Sequence, residues 1–499
     1  MSPSVEPFNE ARYKALMDGL ECSEVNLKNA MMSSYSSRLD SDFFKKDAIE
    51  FSRISKEWEI ISAICPNIKS GTTPSIRDEN IREGIALLKT NDIRNNIINP
   101  LSKEQFFYID KQTNETMKST VVKSKDVLIN IVGASTDVVG RVSFIPDKFI
   151  KANITQAMAL LRIENTSYLP EYLFVFLLST YAKRQTNRIS RQTGQYNMNL
   201  KEVGTYRIWK PSIEFQLKIA EIVNISNINQ TNAKKLYQES QKIIAKLLPI
   251  PADRFKQNIS IKSMASSYKT FARLDAEYYQ AKYDELFSVI EQFDTTTIPD
   301  EFDVYKNFGT GYADGISDVG VIKTKQLTND SINCDGVESF LDNETCIKNK
   351  STYLINGDVV FASMGVGSLG KVSLFTYGGD KRFVTDSTLR IYRSKPTSNV
   401  KAEVLCVFLQ SKVGQELIYR YIVGSTGIIN IYDTDIAKIP IPVLDSAVQE
   451  QITDKVQESF FLRHKSEQLL EHAKQAVEIA IEEGEKKAME WLKEKGIDC

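Results

Sequence analysis

Gly365, Gly370 and Lys371 lie in the stretch FASMGVGSLGKVSLF (361–375) at the spacing of a P-loop, the glycine-rich turn that cradles nucleotide phosphates. That motif requires a hydroxyl directly after the lysine to bind Mg²⁺, and a helix whose first amides face the phosphates. Val372 stands in the hydroxyl's place, and KVSLFTY alternates apolar and polar residues as a strand does. The pattern favours a turn between two strands and leaves nucleotide binding as an alternative.

Residues suited to metal or acid/base chemistry are few. The six cysteines form no C-x-x-C pair, which argues against a zinc site or a disulfide framework and favours a reducing cytoplasm. The only histidines, His464 and His472, lie in a strongly helical tract. We find no amino-methyltransferase motif of the N-P-P-Y type. Acids and lysines are plentiful, so composition leaves a carboxylate nuclease open, but no compact cluster of them follows a strand.

The charge of the chain is balanced overall and basic in one place. The formal net charge is −1 over 499 residues, with 42% hydrophobic and 25% charged residues, as in an ordinary globular protein. No apolar run approaches the roughly 18 residues of a membrane span, so no membrane association is expected. Against the single acid Glu202, the segment 182–210 carries seven basic residues: Lys183, Arg184, Arg188, Arg191, Lys201, Arg207 and Lys210. A local basic surface of this kind can bind nucleic-acid phosphates.

The chain contains an internal repeat, in which segments of the first half return in the second half. SRLDSDFF (37–44) returns as ARLDAEYY (272–279), LLKTNDI (87–93) as VIKTKQL (321–327), and KSTVVKSKDVLINIVG (118–133) as KSTYLINGDVVFASMG (350–365). The order is kept and the offset drifts only by the few residues expected of loop insertions. The glycine pair Gly365 and Gly370 corresponds to Gly133 and Gly140, whose spacing is longer, so this turn varies on a constant scaffold.

Each half then continues with an apolar helix, a polar stretch centred on glycine, and a short strand ending in proline. Gly194 and Asn197 of RQTGQYNMNLKEV correspond to Gly427 and Asn430 of GSTGIINIYDTDI. The order predicts five regions: an N-terminal helical segment (1–50), a first globular domain (51–212), a central region with a long helix (213–296), a second globular domain (297–445) and a C-terminal long helix (446–499).

The two long helices carry apolar stripes. Ile219, Ile222 and Ile225 recur at helical spacing in the first, and Val448, Ile452 and others do so in the second. A stripe of that length must be buried. The alternatives are that each helix covers its own domain or that the two pair with each other, antiparallel. Because both occupy the same place in the repeat, we predict an antiparallel pair. The fold class is therefore α/β (α+β), with two pseudo-symmetric globular domains joined by two long antiparallel coiled-coil helices.

The doubled set of motifs resembles the specificity subunit of type I restriction-modification systems. The resemblance rests on the repeated GDVVFASMGVGSLGKV-type hairpin, the Lys-Thr strand starts, the glycine-to-asparagine loops, the prolines leading into the long helices, and the RLD sequences. It implies two target-recognition domains, each recognising one half of a bipartite DNA sequence, held apart by paired helices. The segment before residue 37 has no evident counterpart in the second half, so the resemblance assigns it no role.

Base recognition in the major groove uses Arg for guanine and Asn or Gln for adenine, and the loops carry these residue types. In the first half we predict DNA contacts from Lys89, Asn91, Arg94, Arg188, Arg191, Gln192, Thr193, Gln195, Tyr196 and Asn197. In the second half we predict contacts from Lys323, Lys325, Gln326, Arg420, Tyr421, Ser425, Thr426, Asn430 and Tyr432. For any one of them the alternative is a solvated loop side chain.

The expected function is that of a non-catalytic, cytoplasmic DNA-specificity subunit. The resemblance implies partnership with double-stranded DNA and with two methyltransferase (modification) subunits, and it allows for restriction (translocase) subunits as well. No catalytic residue, metal or cofactor is expected on this chain; the partner subunits would use S-adenosylmethionine, and ATP with Mg²⁺ for restriction. The alternatives are a specificity subunit of a related type II methyltransferase-nuclease system, an NTP-binding protein, and a scaffold that binds only proteins.

Overall fold

The computed structural model describes residues 9–20, 24–32, 39, 41–44, 58–74, 81, 83–102, 106–250, 260–265, 267–268, 273–308, 313–314, 318–329, 331–334, 336–424 and 429–497. The chain divides into two compact units. The first comprises residues 1–231 and 462–499, and the second comprises residues 232–461. Both boundaries fall inside long helices, Ile213–Leu247 and Ser446–Glu483. The predicted five-region boundaries stay predictions.

The first unit combines short strands with helices. Among its described residues the other helices, including three short 3₁₀ turns, are Glu10–Met17, Leu27–Met32, Ser41–Phe44, Ile61–Ile64, Thr90–Asp92, Lys111–Thr116, Lys118–Thr120, Pro170–Leu178, Thr180–Ile189, Leu200–Gly204 and Glu485–Glu494. Its strands are Trp58–Ile60, Lys69–Ser70, Ile85–Leu88, Asn96–Ile97, Phe107–Ile109, Val127–Asn130, Val132–Gly133, Val142–Phe144, Ala152–Ile154, Met158–Leu161, Arg191–Thr193, Gln195–Asn197 and Arg207–Trp209.

The second unit uses the same kinds of element. Its other helices are Ala276–Tyr279 (3₁₀), Ala281–Ile290, Ile298–Glu301, Asn343–Lys348, Ala402–Gln410, Lys412–Arg420 and Asp433–Ile436. Its strands are Thr295–Thr296, Phe302–Tyr305, Ala313–Asp314, Val319–Ile322, Ser339–Leu341, Val359–Ala362, Val372–Leu374, Arg382–Thr385, Leu389–Ser394 and Ile441–Pro442.

Strand pairing repeats between the units. In the first, strand 127–130 lies between its antiparallel partners 158–161 and 142–144, and in the second, strand 359–362 lies between 389–394 and 372–374. A further sheet in each unit contains one parallel pair, 85–88 with 152–154 and 319–322 with 382–385. The first and last strands of each globular part also pair, 58–60 with 207–209 and 295–296 with 441–442. The mixed fold class and the internal repeat are thus confirmed.

Buried ion pairs are repeated with the strands. Asp126, 1% exposed, receives two bonds of 2.7 Å from the guanidinium of Arg162. Asp358, also 1% exposed, receives bonds of 2.8 and 2.7 Å from Arg393. Two parallel N–H···O bonds fix both the distance and the plane of the groups. Each ion pair joins the N-terminal end of the central strand to the C-terminal end of its neighbour. The same ion pair therefore stabilises the sheet of each unit.

A buried glutamine near the start of each long helix forms a second repeated set of contacts, which are hydrogen bonds to backbone groups. The amide oxygen of Gln216 accepts from the Leu169 N–H (2.8 Å), and its nitrogen donates to Ser167 O (3.0 Å) and Pro211 O (3.3 Å). In the second unit, the Gln449 oxygen accepts from the Lys401 N–H (3.0 Å), and its nitrogen donates to the carbonyls of the matching residues, Asn399 and Leu444. The glutamine side chain therefore joins the start of each long helix to the start of an earlier helix, 170–178 in the first unit and 402–410 in the second.

Replacing Gln216 by leucine is expected to lower the free energy of unfolding by about 2 kcal/mol, because buried backbone groups would lose their partners. Urea denaturation measures the change, and Gln449→Leu should cost a similar amount. Gln468→Leu, at an exposed position of the second long helix, is the control and should change stability by less than about 0.5 kcal/mol. Equal midpoints for the three variants would show that the glutamine bonds contribute nothing to stability.

The long helices run antiparallel within each unit. In the first unit Ser212 contacts Glu485 and Ser226 contacts Ser466, so rising numbers on one segment meet falling numbers on the other. In the second unit Ala233 meets Ser459, and Glu239 meets Lys455. The predicted antiparallel pairing is confirmed in these contacts.

The seam of the helix pair contains polar residues as well as the predicted apolar ones. Ile219 and Ile222 are buried as expected, but the buried Ser226 and Ser466 hydroxyls lie 2.8 Å apart, and each also bonds the other's backbone carbonyl. Small side chains let two helices approach closely, and a buried polar pair favours one register over its neighbours.

Among the described residues no helix is long and apolar enough to cross a membrane.

Candidate nucleic-acid interface

Four segments lie side by side at one edge of the first unit and hold half of its predicted contact residues. Thr155 N–H donates to Leu88 O (3.2 Å), which places the turn 155–157 beside the turn 89–92. Ile131 N–H donates to Ala157 O (2.9 Å), and Met198 N–H donates to Ile131 O (2.8 Å). The order across this surface is therefore 89–92, 155–157, 131–133 and 195–198.

The second unit builds the same surface with the same backbone bonds. Asp386 N–H donates to Ile322 O (3.0 Å), Ser363 N–H to Thr388 O (3.0 Å) and Ile431 N–H to Ser363 O (2.9 Å). The order is 323–326, 386–388, 363–365 and 429–432. Because residues 198 and 431 hold equivalent places, the equivalence of Asn197 and Asn430 inferred from the sequence agrees with the hydrogen-bond pattern.

The Lys-Thr turns are held closed by a side chain three residues further on. Asp92 accepts from the Lys89 N–H (2.7 Å), and Gln326 accepts from the Lys323 N–H (3.1 Å). Gln326 is 4% exposed and also donates to Gly336 O (2.9 Å). The structure therefore makes Gln326 a support of the turn, and its predicted DNA contact is corrected on that ground.

Charged groups of these turns are engaged with their own unit. Lys89 Nζ lies 4.9 Å from the centre of the Phe107 ring, and Arg94 Nε donates to Asn91 O (2.8 Å). Lys323 Nζ donates to Ser339 Oγ (2.7 Å). These contacts orient the lysines and arginines without burying the whole turn.

An acidic side chain lies in or beside each Lys-Thr turn. Burial raises the pKa of Asp92, although the bond from the Lys89 N–H and the nearby charge oppose the shift. Burial likewise raises the pKa of Asp386, against bonds from Thr388 and the charge of Lys323. Each of these carboxyl groups is therefore held against its own turn.

The polar, glycine-centred stretch that was predicted as a loop in the first unit is a short hairpin. Strands 191–193 and 195–197 pair around Gly194, whose φ of +88° is a conformation that glycine adopts without strain. Tyr196 pairs with Gly133 on the neighbouring strand. Gln195 is exposed and Asn197 is half-buried. The hairpin is therefore anchored along one edge and presents Gln195 outward.

Arg188 and Arg420, both predicted to contact DNA, hold equivalent places in the two units. Arg188 Nε donates to Phe43 O (3.0 Å) and its guanidinium stacks 4.3 Å from the Phe43 ring. Arg420 Nε donates to Tyr278 O (3.3 Å) and stacks 4.5 Å from that ring. Phe43 and Tyr278 are the matching aromatic residues that follow the RLD sequences. Each arginine therefore holds the aromatic residue that follows the RLD sequence of its unit.

Burial corrects two predicted contacts in the second unit. Arg420 is 9% exposed and Tyr421 is 4% exposed, and the guanidinium is enclosed by aromatic rings that include Phe287. Neither side chain can reach a base from that position. Tyr432 is exposed. The backbone of Asn430 forms isolated antiparallel β-bridges with Met364 and Val423.

Other predicted residues form ion pairs or lie outside the residues that the structure describes. Arg191 forms an ion pair with Glu202, which also caps the helix 200–204. Lys325 forms one with Glu338. Ser425 and Thr426 lie outside the described residues, as do the side chains of Gln192 and Thr193.

The turns 155–157 and 386–388 were not singled out from the sequence. Each lies between two segments that were, and Gln156 is exposed. The signal was available, because ITQAMALLR (154–162) and TDSTLRIYR (385–393) align on the arginines that pair with Asp126 and Asp358. Loops rich in Arg, Gly and Asn carry a stronger sequence signal for DNA contact than this short turn between buried strands does.

The P-loop alternative is excluded by geometry. Strand 359–362 pairs antiparallel with strand 372–374, and Lys371 directly precedes the second strand. No helix follows Gly370 to present its amides to a phosphate. In the part of the chain that the structure describes, no group of three His, Cys, Asp or Glu side chains is placed to hold a metal ion.

Comparison with known proteins points to one family. No family model matches the chain. A segment of 147 residues is 29% identical to the type I restriction enzyme EcoBI specificity subunit of Escherichia coli, and it spans 29% of each protein's length. Similar solved structures include a type I S subunit from M. genitalium (11% identity, TM-score 0.34, covering 87% of this chain and 96% of that one).

A second is the HsdS subunit of Thermoanaerobacter tengcongensis (12% identity, TM-score 0.27, covering 86% of this chain and 97% of that one). Superpositions at these scores carry no weight here, and the fold stands on the strand order described above. The sequence match stands on its own. The resemblance to type I specificity subunits that the repeated motifs indicate is confirmed by that match.

Proposed function

We propose that this chain is the DNA-specificity subunit of a type I restriction-modification complex. The observation that carries the proposal is the repetition of one hydrogen-bonded scaffold, which presents Asn91 and Gln156 in the first unit where Lys325 and Ser387 stand in the second. A constant scaffold with changed surface residues is what recognition of two different half-sites requires. The match to a curated specificity subunit points the same way.

In this proposal the chain selects DNA and performs no chemistry. Lysines and arginines near the loops neutralise phosphates and set the position on the duplex, while amide and hydroxyl side chains contact base edges. Two modification subunits, and restriction subunits where present, would dock on the chain and supply the methyl transfer and cleavage. S-adenosylmethionine, and ATP with Mg²⁺, would be bound by those partners. We place the complex in the cytoplasm.

DNA binding by the complex with its modification subunits tests this function. A labelled duplex carrying the methylated sequence of the source genome should bind more tightly than a duplex altered in either half-site. Its affinity should fall steeply with salt, because each phosphate contact contributes about −0.9 to the slope of log K against log salt. Binding that is absent, or equal for all duplexes at every salt concentration, would favour a scaffold that binds only proteins.

A further inference from the structure

The turns 155–157 and 386–388 each join a strand of the sheet with the parallel pair to a strand of the central sheet, and each occupies the middle of its candidate surface. In the first unit it is tied on one side to Leu88 and on the other to Ile131, through the backbone of Thr155 and Ala157. Residues predicted to contact DNA lie on both sides of it, Lys89 and Asn91 in the segment 89–92 and Gln195 and Asn197 in the segment beyond 131–133. Any duplex that touches both segments must therefore pass over residue 156.

The side chains of this turn divide into supporting and outward ones. Thr155 is 7% exposed, whereas Gln156 at the tip is exposed. In the second unit, Asp386 folds back to accept from the Thr388 N–H (2.9 Å) and hydroxyl (2.5 Å). Ser387 occupies the tip there. Backbone bonds are thus shared by both turns, and the tip residue differs.

We propose that Gln156 is a specificity-determining residue that contacts a base edge in the half-site recognised by the first unit, with Ser387 in the equivalent role in the second. The inference rests on the proposed function. A glutamine amide on a fixed backbone can donate to N7 and accept from N6 of adenine in a bidentate pair, so we assign it an A·T pair. Ser387, a short hydroxyl with one donor, would discriminate less strongly.

The test uses the chain assembled with its modification subunits and a set of duplexes in which each base pair of the methylated sequence is varied singly. Gln156→Ala should reduce discrimination by about tenfold at one base pair of one half-site and leave the other positions unchanged. Gln156→Glu should move the preference at that pair toward cytosine, whose amino group a carboxylate accepts from. Gln112→Ala, an exposed glutamine on the helix 111–116, is the matched control and should behave as wild type.

Two results would overturn the inference. One is wild-type discrimination by Gln156→Ala at every position, and the other is uniform weakening across all duplexes, which marks a phosphate contact. Thermal unfolding at the wild-type temperature shows that the variant is folded. If the complex with the wild-type chain showed no sequence preference, the proposed function itself would be contradicted. The failure of the inference and the failure of the proposed function are therefore distinguishable.

Discussion

Replacing Arg162 by methionine is expected to lower the free energy of unfolding by about 3 kcal/mol, at the lower end of the cost of breaking a buried ion pair. The substitution leaves the carboxylate of Asp126, 1% exposed, with the Lys123 N–H (2.7 Å) as its remaining described donor. We take the lower end because the Arg162 side chain is 31% exposed, so water can enter where the guanidinium was. Urea denaturation of the full chain measures the loss.

The repeat supplies an internal replicate and the chain supplies a control. Arg393→Met should cost a similar amount, since Asp358 is equally buried. Lys183→Met removes an ion pair with Asp137 in which both side chains are at least 60% exposed, and it should cost less than about 1 kcal/mol. Arg162→Met combined with Asp126→Leu should recover much of the loss, because an apolar pair replaces a buried ion pair at little cost. If Arg162→Met lowered the free energy of unfolding no more than Lys183→Met does, the buried ion pair would contribute little to stability.

The repeat and the helix pair were predictable because both follow from spacing. An apolar residue every three or four positions has to face a partner, and Ile452 and Val456 are buried where the stripe placed them. The matching of Asn197 with Asn430 came from ordered sequence similarity, and the hydrogen bonds of residues 198 and 431 agree with it.

The positions of individual side chains were harder to predict. Arg188 and Arg420 belong to a polar stretch, and residue type alone does not reveal that the facing aromatic residue comes from a segment more than 140 residues away. The repeat held a clue, because both arginines and both aromatic residues recur together. Gln326 shows the same limit: its counterpart Asp92 was not singled out, yet both side chains close a Lys-Thr turn.

The polar seam of the helix pair was visible as an interruption, but its partner was not. Ser226 lies in a polar stretch of the first long helix, and a serine alone predicts no contact. Only the register of the two helices brings it to Ser466. Tertiary pairing therefore supplies information that periodicity cannot.

Exchanging residues 51–212 for the equivalent domain of another specificity subunit is expected to change one half of the recognised DNA sequence and leave the other half unaltered. The structure favours the exchange because Trp58 and Trp209, near the two junctions, are directly paired on neighbouring strands. A new domain can therefore enter between adjacent chain segments with little disturbance of the long helices. The reciprocal exchange of residues 297–445, bounded by the strand pair Thr296 with Ile441, is the matched control and should change the other half.

Sequencing of methylated positions in cells that carry the chain with its modification subunits tests the central claim most directly. The account predicts a bipartite methylated sequence with the original chain, a change in one half with the first exchange, and a change in the opposite half with the second. Methylation that is the same with all three chains, or that changes in both halves with either exchange, would contradict recognition by two independent units.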